Sequence, residues 1–169
     1  YNKILVYLTH PHVDVWNFKP EHKTLLQSLL LGVTVEVCAN SKEFKDKLSE
    51  AEVVIVWVFK EEWLQNAPKL KLIATPAAGN DWITWQPPAN LKLSFGGFHA
   101  PMMAETVIGA MLHFLKAFPL SIKMQKKNRW ARIKISKKQQ SLYKARVTIL
   151  GFGKIGNVLG RLLKPFGCK

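Results

Sequence analysis

Acidic residues are missing from the last third of this 169-residue chain. No Asp or Glu follows Glu105, while 15 of the 25 Lys and Arg residues do, so the +14 net charge lies almost wholly in residues 106–169. Such a division points to a basic functional arm or to an acidic counterpart elsewhere. Cysteine is scarce. Two residues, Cys38 and Cys168, exclude a disulfide framework and fit a reducing, cytoplasmic setting. No apolar run is long enough for a membrane span, and the short run after Lys3 lacks the features of a secretory signal. Gly and Pro, at 10 and 9, are too few for collagen-like or low-complexity sequence. Hydrophobic residues make up 48% of the chain, enough to bury a core.

Residues 1–100 read as alternating strands and helices. Apolar, β-branched runs at 3–8, 33–38, 52–59, 72–75 and 91–95 predict strands. Between them, Pro20 opens a helical pattern that Gly32 ends, Ser41 is a candidate N-cap, and 60–70 reads as a short helix around Trp63 and Leu64. Strands alternating with helices predict a parallel sheet covered on both faces, in a flavodoxin-like doubly wound order. Residues 102–118 form a long helical pattern with few charges, which predicts a helix buried between layers, domains or subunits. A basic stretch at 121–140 follows, interrupted by Trp130, Ile133 and Ile135.

The chemistry-bearing motif is Gly151-Phe152-Gly153-Lys154-Ile155-Gly156, a G-x-G-x-x-G. An apolar run at 147–150, expected as a strand, leads into it, and an amphipathic helical pattern with Ile155, Val158, Leu159, Leu162 and Leu163 leads out. That context favours a dinucleotide-binding turn over a glycine-rich β–α turn that binds nothing. Gly151 permits the turn, Gly153 lets a pyrophosphate approach, Gly156 lets helix and strand pack closely, and the helix N-terminus offers free N–H groups. The acidic residue expected about 20 positions on falls beyond Lys169. Gly167-Cys168-Lys169 reads as the beginning of the next strand, so the second domain is expected to be truncated as given.

Three segments together resemble the D-isomer-specific 2-hydroxyacid dehydrogenase family. They are residues 70–81, with Ala78-Gly79-Asn80-Asp81 like the family's substrate loop; residues 98–109, with Ala104-Glu105 like its interdomain helix; and the fingerprint at 147–156. The resemblance implies a flavodoxin-like substrate domain (1–100), an interdomain and dimerisation segment (101–145) and the first β–α unit of a Rossmann domain (146–169), with the active site in the cleft between the domains. It implies substrate carboxylate binding at the backbone of Ala78 and Gly79, and NAD binding at Gly151, Phe152, Gly153, Lys154, Ile155 and Gly156, NADP remaining open. Thr106 is implied to approach the nicotinamide half. A homodimer through residues 102–138 is also implied. No residue matches the family's catalytic Arg, Glu and His, which lie later in the Rossmann domain, so no turnover is expected from this chain alone.

The expected function is hydride transfer between NAD(H) and a small 2-oxo or 2-hydroxy acid. Two alternatives come from other classes: a non-catalytic dimerising or regulatory module of the same fold, and a basic nucleic-acid or polyanion binder. The basic run could place Trp130 or Tyr143 against a base, but no nucleic-acid motif accompanies it, so specific nucleic-acid binding is not expected. His10, His12 and Asp14 lack further ligands, so no metal is expected. His99 and His113 read as structural, and neither cysteine has an activating base beside it in sequence.

Overall fold

The computed structural model describes all residues, Tyr1–Lys169, in two units, Tyr1–Gly97 and Phe98–Lys169. The first is built on a five-stranded, wholly parallel sheet: β1 (Lys3–Tyr7), β2 (Thr34–Val37), β3 (Val53–Val56), β4 (Leu72–Thr75) and β5 (Lys92–Phe95), in the order β2-β1-β3-β4-β5. This is the doubly wound order expected. Helix α1 (Pro20–Leu29) links β1 to β2 and α2 (Ser41–Lys47) links β2 to β3.

The alternation of side chains along each strand separates two cores. Leu5, Val54, Val56 and Ile73 pack with Phe44, Leu48, Phe59 and Trp63 on one face. Ile4, Val6, Leu8 and Val53 pack with Leu26, Leu30 and Trp57 on the other. Cys38 is fully buried in the first core, and burial pushes its thiol up to about 11, so it is a packing group rather than a nucleophile.

Several expectations are corrected in detail. The cap of α2 is Asn40, not Ser41: the Asn40 side chain accepts the Glu43 N–H at 2.9 Å, and the helix begins at Ser41 itself. Residues 60–70 form only a 3-10 turn at Glu61–Asn66, because Pro68 follows within two residues. The long helix ends before Pro119, as expected, but a second helix follows at once in the stretch read as a basic arm. α3 (His99–Leu115) and α4 (Phe118–Gln125) meet at a bend of 60°. Pro119 has no N–H to continue α3, and it sits instead in the first turn of α4 after Ala117 has turned to φ 54°. No single helix is long and apolar enough to cross a membrane.

In the second unit, α5 (Arg132–Ser136) is a short helix in the basic stretch, and α6 (Lys154–Leu163) follows the glycine motif. α3 packs one face on α6, around Ala104, Ile108, Leu112, Leu159 and Leu163. Burial of α3 is therefore one-sided: Met102, Met103, Val107 and Phe114 are exposed. Residues 147–150, expected as a strand, form none, because a strand needs a ladder partner along its length. Their one partner is Lys169. Its N–H donates to the Ala145 carbonyl at 2.7 Å, and its carbonyl accepts the Val147 N–H at 2.8 Å. That pair is one repeat of a parallel ladder, reached after one helical crossover.

Charge pairing is confined to the first unit. Glu36 sits between Lys3, at 3.1 Å, and Lys47, which also binds Glu43 at 2.8 Å. Hydrogen bonds from Lys47 and then Lys3 hold the Glu36 carboxyl below its ordinary 4.5. A lowered carboxylate contributes stability above its unfolded value and loses it as pH falls through the native one. A Glu36→Gln variant is expected to melt about 2–4 °C lower at pH 7, and the difference is expected to shrink as the pH falls below the ordinary carboxylate range. A pH-independent difference in a calorimetric titration would reject this origin.

Candidate functional site

Two sets of residues singled out by sequence have the geometry of ligand sites, one in each unit. In the second unit, the turn before α6 has Gly151 at φ 90°, a conformation that an L side chain rarely adopts. A Cβ at Gly156 would lie 2.3 Å from the Gly151 carbonyl oxygen and 3.3 Å from Ile149 Cγ2, so helix and incoming chain are in backbone contact there. A Cβ at Gly153 meets nothing within 4 Å, which leaves open space beside the helix entrance. These are the conformations that a dinucleotide-binding turn would require of its glycines.

Gly153 is the N-cap of the ten-residue α6. The first bond at this end runs from Asn157 N–H to the Gly153 carbonyl at 2.9 Å, so the amides of Lys154, Ile155 and Gly156 are free. Free amides, the positive end of the helix dipole and the exposed Lys154 ammonium suit an anion in the open space at Gly153. The residues present therefore fit a dinucleotide pyrophosphate. Phe152 is also exposed, and its ring lies near Gly160, where an added Cβ would be 3.3 Å from it. Thr106 is on the exposed side of α3, where its hydroxyl donates to the Met102 carbonyl at 2.9 Å.

In the first unit, the loop after β4 leaves the sheet at its carboxyl edge. Its path is fixed by hydrogen bonds. The Gly96 N–H is shared between the carbonyls of Thr75, 2.9 Å, and Ala77, 3.0 Å. The Ala77 N–H donates to Thr75 Oγ1 at 3.1 Å. Ala78 and Gly79 follow, both exposed, and their amides donate to no acceptor in the chain. Consecutive free amides beside small side chains can hold a carboxylate. This loop depends on Gly96, where a Cβ would stand 1.9 Å from the Pro76 carbonyl oxygen, a contact the sequence reading missed. Only strand register could have signalled it, since Phe95 pairs with Thr75 and places Gly96 against Pro76.

No group of three or more His, Cys, Asp or Glu residues could hold a metal. His113 packs edge-on against Phe118 and His99 stacks on Phe98. Trp130 is 93% exposed between Arg129 and Arg132.

The sequence model of the D-isomer specific 2-hydroxyacid dehydrogenase NAD binding domain matches residues 108–169. A formate dehydrogenase of Neurospora crassa is 28% identical over 155 residues, covering 85% of this chain and 41% of the relative. The fold matches a D-isomer specific 2-hydroxyacid dehydrogenase family protein of Aeromonas salmonicida with a TM-score of 0.76 at 23% identity, covering 99% of this chain and 52% of that one. It also matches a D-isomer specific 2-hydroxyacid dehydrogenase of Xanthobacter autotrophicus, solved with NADPH and MES, with a TM-score of 0.75 at 20% identity over 97% of this chain and 52% of that one. The chain thus spans about half the length of its relatives. Residues 108–169 match the NAD-binding domain model of the D-isomer-specific 2-hydroxyacid dehydrogenase family, and the chain is similar along most of its length to proteins of that type.

Proposed function

We propose that this chain supplies the substrate-carboxylate loop and the pyrophosphate turn of an NAD-dependent oxidoreductase acting on a small 2-oxo or 2-hydroxy acid. The observation that carries this reading is the glycine turn. Gly151 at positive φ, Gly156 in backbone contact and Gly153 facing open space at the head of α6 meet the three separate demands of a dinucleotide turn. NAD, when bound, supplies the nicotinamide carbon that gives or takes the hydride; NADP is the alternative. The amides of Lys154, Ile155 and Gly156 hold its pyrophosphate, and Thr106 borders its nicotinamide half. The amides of Ala78 and Gly79 fix the substrate carboxylate, and so orient the reacting carbon. The cation and the acid/base group that complete such a reaction are not assigned to residues of this chain.

In this reading residues 1–100 are the substrate domain, 101–145 the interdomain segment and 146–169 the first part of the cofactor domain. The exposed apolar side chains Met102, Met103, Val107, Phe114, Phe118 and Ile122 support a homodimer through residues 102–138. The low cysteine content supports a cytoplasmic setting. The test is NADH oxidation by the protein at its native length with glyoxylate, hydroxypyruvate and pyruvate. Turnover of at least one is expected. Tight NADH binding without turnover of any would favour the non-catalytic module.

A further inference from the structure

Residues 116–140 leave the end of α3 and return to it. The Gln140 N–H donates to the Leu115 carbonyl at 2.7 Å, Lys116 Nζ to the Gln140 carbonyl at 3.1 Å, and Gln139 Nε2 to the Lys116 carbonyl at 3.5 Å. The excursion is also shaped from within. After α4, Asn128 turns to φ 48°, its N–H donates to the Gln125 carbonyl at 2.9 Å, and the Arg129 N–H donates to the Met124 carbonyl at 3.0 Å. That left-handed helix cap fixes the backbone just before Trp130, which stands between α4 and α5. Trp130 lines two adjoining cavities. One, of about 400 Å³, also has Met124, Arg129, Arg132 and Ile133 in its wall. The other, of about 670 Å³, has Ser121, Asn128 and Ile135.

The excursion carries nine Lys and Arg residues and no Asp or Glu. None of the nine forms an ion pair, and Lys116 alone has a side-chain hydrogen bond. Hydrated cations are at ease on a surface. An indole 93% exposed between two unpaired arginines is not, because it forfeits the large burial an aromatic ring can gain. The occupant that suits this place brings negative charge and a flat apolar face together. A second copy placed face to face would set nine cations against nine, and the apolar residues that support a dimer, from Met102 to Ile122, precede the turn. A DNA duplex has the charge but keeps its bases stacked inside. An acidic peptide pairs with guanidinium groups but has a flat face only where an aromatic falls. A single-stranded nucleic acid brings a phosphate and a free base at every residue.

We propose that residues 116–140 form a surface for single-stranded nucleic acid, in which a base stacks on Trp130 and the flanking phosphates pair with Arg129 and Arg132. Stacking tolerates any base, so this binding is sequence-independent and needs no recognition motif. The inference is independent of the dehydrogenase reading.

The test is fluorescence anisotropy of a labelled oligothymidylate titrated with the protein at its native length over a range of salt concentrations. Binding is expected at low salt, weakening as salt is raised. Trp130→Ala is expected to lower the affinity about tenfold, and Trp130→Phe to restore most of it. Arg129→Ala combined with Arg132→Ala is expected to lower the slope of log affinity against log salt by about 1.4, about 0.7 for each phosphate contact removed. All three side chains are exposed, so unchanged melting temperatures report folding in every variant. A DNA duplex is expected to bind more weakly and to be indifferent to Trp130. Absence of binding at low salt overturns the proposal. So does an affinity unchanged in Trp130→Ala, which would leave a solvated charged face. Polyglutamate that competes equally well and depends equally on Trp130 would assign the surface to an acidic protein. Loss of a dimer in Trp130→Ala on sedimentation would assign it to a second copy. Either result overturns the proposal.

Discussion

A Gly156→Ala variant is expected to lose NADH affinity by about 100-fold or more, equivalent to about 2.8 kcal/mol. The added methyl would stand 2.3 Å from the Gly151 carbonyl oxygen. Neither atom is the end of a flexible side chain, so α6 must move away from the preceding segment. Its free amides then leave the place where the pyrophosphate would lie. The same movement opens the packing of Leu159 and Leu163 against α3, so the variant also melts lower. Gly153→Ala separates the two effects. Its methyl meets no protein atom within 4 Å, so the melting temperature is expected to hold while binding weakens. Calorimetric titration with NADH and a melting scan on both variants check this. Equal behaviour of the two would mean that Gly156 is not a packing glycine.

The second large effect belongs to Gly96→Ala. A Cβ there would lie 1.9 Å from the Pro76 carbonyl oxygen and 2.6 Å from its carbon. The only relief is separation of β5 from the exit of β4, which breaks the bonds from Gly96 N–H to Thr75 and Ala77. The expected cost is about 3 kcal/mol, the upper end for overpacking at a tight site. For a unit of this size that corresponds to a fall of about 12–20 °C in melting temperature. The carboxylate loop moves with it, so KM for the acid rises even where folded protein remains. A melting temperature within about 3 °C of wild type would show that the contact relaxes cheaply.

The sheet was legible in the sequence because five short β-branched runs alternate with helical patterns, and parallel order follows from that alternation. The glycine turn was legible for a similar reason. Its glycines fall at a fixed spacing between an apolar run and an amphipathic helix, and each has a geometric duty. Three features were not legible. The second helix, α4, begins in a stretch read only as a basic arm, after Ala117 adopts φ 54°, for which an alanine carries no signal. The missing strand at 147–150 is a question of partners, and local propensity says nothing about whether a neighbour is present. The tie between Gly96 and Pro76 arises from register between segments far apart in sequence.

The most direct test of the account is a residue-resolved NMR titration of this chain with NADH and, separately, with oxalate as a carboxylate probe. NADH is expected to shift the amides of Gly153, Lys154, Ile155 and Gly156 saturably, and oxalate those of Ala78 and Gly79. NADH shifts spread instead over the lysines and arginines of residues 116–146, weakening together as salt is raised, would mean that the chain binds it as a polyanion, and would contradict a dinucleotide site at the glycine turn.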